Sequence, residues 1–396
     1  MLRPRRTTRV KPASPAARGP QGQRSTRIVA ADNLRALLVA WIIANHAVVG
    51  YTAIGGWPYD EVNEATLSPA FEYVLTVLLG PTALFVIGSF FFLAGLFAPV
   101  ELEHHGPAHF VRARILRLGV PWLVVMLFIW PFFMWLAYRS AGHDVTLWQV
   151  FRGRQPFLDS GPLWFVQILM YVSIGYALWS WLGLGRRLQP AMIRGTHLIV
   201  AAVGIAVTSF VVRLWAPARS QQIFDLHVWQ WPQCVGMFCL GALLSGHGWA
   251  REVPRHITRR CGITVVLTLI AAEAVAWGAG VTDFAREGGP FLGGWHWQAL
   301  VLDLVEAALV VAGSIWLVAL AQRWLTSTSP VWAGSTRGAY AAYILQVPVL
   351  LTLAIVARPL PLPAGAKALI VGGGAVVASF ALGWLLVRRT RLGRVL

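Results

Sequence analysis

Residues 28–50 read I-V-A-A-D-N-L-R-A-L-L-V-A-W-I-I-A-N-H-A-V-V-G and are long and apolar enough to cross a bilayer as one helix. A transmembrane helix needs about 20 consecutive, mostly apolar residues. The stretch nevertheless contains Asp32, Arg35 and His46. Since a charged side chain at the bilayer centre costs about 2.5–3.5 kcal/mol, such residues mark functional sites. We therefore expect a membrane span that takes part in the chemistry of the protein.

Nine further apolar segments follow the first. The composition fits a lipid environment, because 57% of the residues are hydrophobic and 12% are charged, whereas soluble proteins carry about 25% charged residues. The sequence thus argues against a water-soluble enzyme and predicts an all-α, polytopic integral membrane protein with about ten transmembrane helices. The ten predicted spans are residues 28–50, 71–99, 118–138, 161–183, 198–216, 229–246, 261–280, 299–321, 338–357 and 367–387.

The basic residues are distributed asymmetrically between the predicted loops. If both termini are cytoplasmic, 24 of the 33 lysines and arginines lie on the cytoplasmic side and 8 on the other. Because cytoplasmic loops of membrane proteins are rich in Lys and Arg, we place both termini in the cytoplasm. The net charge of +17 then reflects contact with anionic lipid of the bilayer, and no nucleic-acid partner is expected.

Three regions follow from this topology. Residues 1–27 are rich in Arg, Pro, Ser and Gly and predict a disordered, basic cytoplasmic tail. Residues 28–390 form the predicted transmembrane domain, and residues 391–396 form a short cytoplasmic C-terminal tail. The three cysteines have no metal-ligand spacing, so neither a metal site nor a disulfide framework is expected.

The polar residues of the first span share one face of its helix. Arg35 and His46 are 11 residues apart, which gives an angular offset of about 20° and a rise of about 16 Å. Asp32 points into the same sector and can neutralise Arg35. Two interpretations stay open: a polar path through the membrane, or a structural arrangement in which His46 makes an interhelical hydrogen bond and Arg35 snorkels to the interface.

An Arg-x10-His pattern in the first span, here Arg35 and His46, is typical of the acyltransferase 3 family of polytopic membrane acyltransferases, which this sequence resembles. The G-P-L-W-F motif is similar to the branch of the family that contains glucan biosynthesis protein C. The motif A-Y-A-A-Y-I-L-Q-V-P at 339–348 has Gln346 where the family commonly has His. The further matching motifs are F-F-F-L-A-G-L-F at 90–97, F-V-R-A-R-I-L-R-L-G-V-P-W at 110–122, G-P-L-W-F at 161–165 and A-Y-A-A-Y-I-L-Q-V-P at 339–348.

The resemblance implies a membrane O-acyltransferase of the bacterial cytoplasmic membrane. Such an enzyme moves an acyl group, with acetyl or succinyl expected here, from cytoplasmic acyl-CoA to a hydroxyl of a glycan or saccharide-lipid acceptor. Acyl-CoA is a co-substrate, and no permanently bound cofactor is implied. His46 would be a general base or a transient acyl carrier.

The remaining site residues are assigned by charge and ring chemistry. Arg35, held by Asp32, is expected at the donor or the developing oxyanion. Guanidinium groups grip phosphates bidentately, which predicts a CoA site in the basic loop, although such loops also arise from topology alone. Trp164 is expected either to stack on a sugar ring or to lie at the membrane interface. The predicted CoA-binding residues are Arg112, Arg114 and Arg117.

A proton-coupled secondary transporter is the alternative function. Intramembrane acids would then bind protons or ions. The two five-span halves show no clear internal repeat, which favours the enzyme. The identity of the acyl group and acceptor, direct transfer against an acyl-histidine intermediate, and the oligomeric state stay open. The acids concerned are Asp32, Glu273, Asp303 and Glu306.

Overall fold

A computed structural model describes five segments of the chain, in which helices and turns alternate and no strand occurs. Residues 1–19 of the predicted N-terminal tail at 1–27 and the whole predicted C-terminal tail at 391–396 lie outside the described residues. Residues 20–27, which the prediction placed in the disordered tail, form the start of the first helix, Pro20–Val49. The described segments are residues 20–52, 66–184, 193–220, 223–279 and 289–390.

Twelve helices are described, numbered here in chain order. Proline at or next to the first position begins several of them, including α2 and α11, because its missing N–H costs nothing there. The helices are α1 Pro20–Val49, α2 Pro69–His105, α3 Pro107–Ser140, α4 Leu147–Gly153, α5 Gly161–Trp181, α6 Gly195–Arg213, α7 Trp231–Ser245, α8 Arg255–Gly278, α9 Gly289–Leu292, α10 Trp297–Trp324, α11 Pro330–Ala357 and α12 Ala364–Arg389.

The prediction of an all-α polytopic membrane protein is confirmed. Among the described residues, eight helices are long and apolar enough to cross a bilayer: α2, α3, α5, α6, α8, α10, α11 and α12. The other two predicted spans are also helical, as α1 and α7. Helix α7 has 15 residues, a length of about 22 Å, and α1 contains Asp32, Arg35 and His46.

Helix α1 packs against three later helices, α10, α11 and α12. Two pairs around it, α2 with α7 and α11 with α12, approach closely through glycine. A Cβ atom on Gly241 would lie 2.3 Å from the carbonyl oxygen of Phe92, and one on Gly383 would lie 2.7 Å from that of Gly338. Backbones therefore meet directly at these crossings, as small residues permit in membrane helices.

The bundle has two ends, which we name after the residues of α1. The Arg35 end contains the junction of α2 with α3, and there Asn33 donates hydrogen bonds to the carbonyls of Leu325 and Ser327 after α10. The His46 end contains residues 141–163 and 223–230, and members of both segments border a cavity. Helix α11 connects the two ends, because Tyr340 donates to the carbonyl of Arg117 and Gln346 meets His46.

Candidate functional site

His46 is held by a side chain from α11. Its Nδ1 atom lies 3.0 Å from Oε1 of Gln346, which is fully buried. An amide oxygen only accepts hydrogen bonds, so Nδ1 carries the hydrogen and the lone pair of the neutral imidazole lies on Nε2. The residue that departs from the family motif therefore positions His46, and Nε2 is the atom that can take a proton or an acyl group.

His46 lines an open cavity of about 730 Å³ at the His46 end, within the size range of small-molecule sites. Its wall comprises the second half of α3, α4, the loop before α5 and the turn before α7. Aromatic rings and ionisable side chains alternate along this wall. The lining includes His46, Arg154, Asp159, Trp164, Asp225 and His227.

Trp164 reaches this cavity through a tight turn. Gly161 adopts φ +53°, and a Cβ atom there would lie 2.7 Å from the ring of Trp130, so glycine fits this position best. The Trp164 ring stacks on His227 with centroids 4.3 Å apart and planes 24° apart. The structure thus brings Trp164 together with His46 in one cavity, where a planar face suits a sugar ring.

Two carboxyl groups of the cavity wall form a hydrogen-bonded pair. Asp159 accepts from the backbone N–H of Gly161 and from Nε1 of Trp130, both at 2.6 Å. It also shares a hydrogen bond with the carboxyl of Asp225. Burial, followed by the charge of Asp159, raises the pKa of Asp225 far above its ordinary value. One proton is therefore held between the two carboxyls.

His227 is another histidine of the cavity wall, which also includes His143, and the sequence pattern did not single it out. Its Nδ1 atom lies 3.1 Å from Oδ1 and 3.0 Å from the backbone oxygen of Asp225. Burial lowers the pKa of His227 below its ordinary value. Phe224, Asp225 and His227 have φ of 57°, 54° and 42°, and such strain in non-glycine residues clusters at functional sites. In the sequence, these residues could have been found only from the Asp-x-His pattern that Asp225 and His227 form in a short loop.

The Arg35 end gathers three of the predicted donor residues. Arg35 bonds Asp32 at 2.7 Å and lies over the Phe97 ring at 5.0 Å. Arg114 of α3 bonds Glu101 of α2. The charges of Arg35, Arg114 and Arg117 lie near enough to act on one another.

The predicted CoA-binding residues differ in exposure. The side chain of Arg114 is 17% exposed, whereas Arg112 and Arg117 are exposed at the surface of α3. The structure therefore groups Arg114 and Arg117 with Arg35, and it places Arg112 on the outer surface of the same helix.

The structure does not bring Arg35 and His46 together. Between them on α1 lie Leu38, Val39 and Ile42, which are at most 5% exposed. We call these three side chains the apolar layer. The polar residues of α1 therefore form two separate sites, one at each end of the bundle, and no continuous polar stripe joins them.

The intramembrane acids of α10 are paired with a buried arginine. Arg213, at the end of α6, lies 2.7 Å from Asp303 and 2.6 Å from Glu306, and Gln233 donates to Glu306 at 2.6 Å. Glu273 of α8 is exposed on the surface of the bundle. The cluster connects α6, α7 and α10, as expected of a structural network.

The described residues contain no group of three His, Cys, Asp or Glu side chains that could hold a metal ion. No curated protein and no solved structure matches the chain. A family profile described as an acyltransferase domain matches residues 28–388. This match covers the helices that carry both ends of the site, including α1 and α11. The chain belongs to the acyltransferase 3 family, and it is a membrane acyltransferase.

Proposed function

We propose that the protein transfers an acyl group, acetyl or succinyl, from acyl-CoA to a hydroxyl of a glycan or saccharide-lipid acceptor. The observation that carries this proposal is the position of His46. It borders the cavity at one end of the bundle and is held by Gln346 as the tautomer with a basic Nε2. A cavity with a stacked tryptophan and carboxyl groups suits a saccharide acceptor.

The donor is proposed to bind at the Arg35 end. CoA carries several phosphates, and guanidinium groups form paired, charge-assisted hydrogen bonds with phosphate. Arg35, Arg114 and Arg117 form one electropositive group there. Asp32 and Glu101 hold two of these arginines in place, which lowers the cost of ordering them when phosphate binds.

The orientation follows from the distribution of basic residues. Cytoplasmic loops are rich in Lys and Arg, and Arg114 and Arg117 in the first part of α3 are near Arg35. We therefore place the Arg35 end in the cytoplasm, where acyl-CoA is found, and the His46 end outside the bacterial cytoplasmic membrane. Trp164, within the motif similar to the glucan-modifying branch, then meets the acceptor.

Either of two roles of His46 fits its geometry. As a general base, Nε2 removes the proton of the acceptor hydroxyl while the hydroxyl attacks the thioester, a contribution of about 10²–10⁴-fold. As a nucleophile, the same atom takes the acyl group first and passes it on. Both roles need the hydrogen bond that the Gln346 oxygen accepts from Nδ1 of His46.

Release of free CoA thiol tests the proposal. Purified protein receives acetyl-CoA or succinyl-CoA together with a membrane glycan extract, and His46→Ala is compared with the wild type. His256→Ala is the matched control, because His256 is exposed on α8 and has no assigned role. The proposal predicts thiol release that His46→Ala abolishes and His256→Ala preserves. Release that is unchanged in His46→Ala removes His46 from the chemistry, and no release with either donor favours a transporter.

A second experiment tests the donor end alone. Arg114→Ala should raise the KM for acyl-CoA about tenfold or more, since a hydrogen bond to a charged group contributes about 1.5–3 kcal/mol. Arg152→Ala is the control, because Arg152 lies at the His46 end and covers the ring of Trp148. Equal KM values for acyl-CoA in the two variants would show that Arg114 does not bind the donor.

A further inference from the structure

Of the three histidines that line the cavity at the His46 end, His46, His143 and His227, two have Nδ1 next to an oxygen acceptor. His46 has Nδ1 against an amide oxygen, and His227 has Nδ1 against the two oxygens of Asp225. Each Nδ1 atom therefore donates, and each ring has its lone pair on Nε2. Both residues line the same cavity, so one bound acceptor could contact both rings.

A chain of hydrogen bonds lies behind His227. Gly161 and Trp130 donate to Asp159, Asp159 and Asp225 share a proton, and His227 donates to Asp225. The two carboxyls together carry one negative charge, next to the imidazole. An imidazolium formed at His227 would therefore be stabilised, as a buried carboxylate stabilises the histidine of a catalytic triad.

The His227 ring is also restrained in orientation. It is stacked on Trp164, and its own backbone and those of Phe224 and Asp225 lie in the left-handed region. Such backbone conformations are strained and persist only where the surrounding structure fixes them. This arrangement fixes the ring at the cavity wall, as a proton-transfer group requires.

An acyl-histidine route needs a second base. Once the acyl group is bonded to Nε2 of His46, that atom has no lone pair, and the acceptor hydroxyl must lose its proton to another group. Asp225 already holds a proton, and the guanidinium of Arg154 has no acceptor capacity. Asp159 accepts hydrogen bonds from Gly161 and Trp130. His143 also lines the cavity but is exposed, whereas His227 is partly buried with its Nδ1 against Asp225. His227 is therefore the base that the cavity holds in a fixed position.

We propose that His46 is the acyl carrier and that His227 is the general base for the acceptor hydroxyl, with Asp225 as the residue that positions His227. This inference rests on the proposed function. In the first step, Nε2 of His46 attacks the thioester carbonyl, the C–S bond breaks and CoA leaves as the thiolate, which takes a proton from water.

In the second step, the acceptor oxygen attacks the acyl carbon of the acyl-imidazolium while Nε2 of His227 takes the hydroxyl proton. The C–N bond to His46 breaks, its electron pair returns to Nε2, and the ester is released. His227 then gives its proton to water at the His46 end. The sum of the steps converts acyl-CoA and an alcohol into an ester and CoA.

Separation of the two half-reactions tests this assignment. Purified full-length protein receives acetyl-CoA labelled in the acetyl group, with or without the membrane glycan extract, and label is measured on the protein and on the extract. His227→Gln should keep the labelling of the protein and the single-turnover release of CoA, while transfer to the extract falls about 100-fold. Asp225→Asn should slow transfer by a smaller factor without slowing labelling. His46→Ala should take up no label, and His256→Gln should match the wild type.

The remaining outcomes are decisive as well. If His227→Gln transfers label at the wild-type rate, His227 is not the base. If it loses protein labelling too, His227→Ala with added imidazole decides, since restored transfer supports the base role and no restoration overturns it. Transfer by a wild type that never becomes labelled overturns the carrier role of His46 and leaves the proposed function intact. A wild type that releases no CoA and transfers no label with either labelled acetyl-CoA or labelled succinyl-CoA overturns the proposed function itself.

Discussion

Replacement of Gln346 by leucine should reduce turnover far more than it reduces stability. The two side chains are similar in volume, so the buried site stays filled. The loss falls on His46, whose Nδ1–H would face an apolar group in place of the oxygen now 3.0 Å away. A buried donor without a partner costs about 1–3 kcal/mol, which corresponds to a factor of roughly 5–150 in rate. The imidazole can avoid this cost by moving its hydrogen to Nε2, which removes the reactive lone pair.

The assay for this prediction is kcat for CoA release, measured together with KM for acyl-CoA and the midpoint of thermal unfolding. We expect kcat to fall within that range while KM stays the same, because the donor is proposed to bind at the Arg35 end. Gln167→Leu is the matched control, since Gln167 is a buried glutamine on α5 that donates to Tyr171. An unchanged kcat in Gln346→Leu would refute the argument, as would an equal loss in both variants.

Three further predictions concern packing, buried charge and pH. Gly241→Ala should lower the thermal unfolding midpoint in detergent by an amount equivalent to about 1–3 kcal/mol of overpacking. Gly204→Ala is the control and should leave the midpoint unchanged, because the space around its Cβ position is open. Equal midpoints in the two variants would contradict the close crossing of α2 and α7. Arg213→Ala should destabilise the protein by about 3–5 kcal/mol, because two buried carboxylates lose their partner. Arg139→Ala, which breaks an exposed ion pair, should have no measurable effect on stability. Denaturant unfolding measures the stability of both variants. The pKa of His227 lies below its ordinary value of 6.5, so its base form persists as the pH falls. The rate of label transfer should therefore stay constant from neutral pH down to pH 6.5. A transfer rate that falls to half its value at or above pH 6.5 would be inconsistent with His227 as the base.

The fold was predictable where hydropathy decides the structure. Long apolar segments must form helices in lipid, because every backbone polar group needs a partner within its own segment. Hydropathy does not define where a helix begins or ends. The predicted span at 118–138 is the second half of a continuous helix that begins at Pro107, since a basic loop at a membrane surface can extend a helix as readily as end it.

The site was predictable only in part. His46 and Arg35 could be found because ionisable residues in an apolar segment are costly and therefore conspicuous. Asp225 and His227 lie in a short loop between spans, where polar residues are ordinary, and only the folded chain brings them to the wall that His46 shares. The partner of His46 was also beyond local reasoning, since Gln346 is 300 residues away in the chain.

The apolar layer of α1 bears on the electrical behaviour of the membrane. Leu38, Val39 and Ile42 lie between the two ends of the bundle, which the proposed orientation places on opposite sides of the membrane, and ions do not cross hydrocarbon readily. Under the proposed mechanism, the thiolate of CoA takes up a proton on the cytoplasmic side, and the acceptor hydroxyl releases one on the opposite side. Each acyl transfer would then be equivalent to moving one positive charge outward, so the membrane potential should act on the rate of an enzyme that transports no ion.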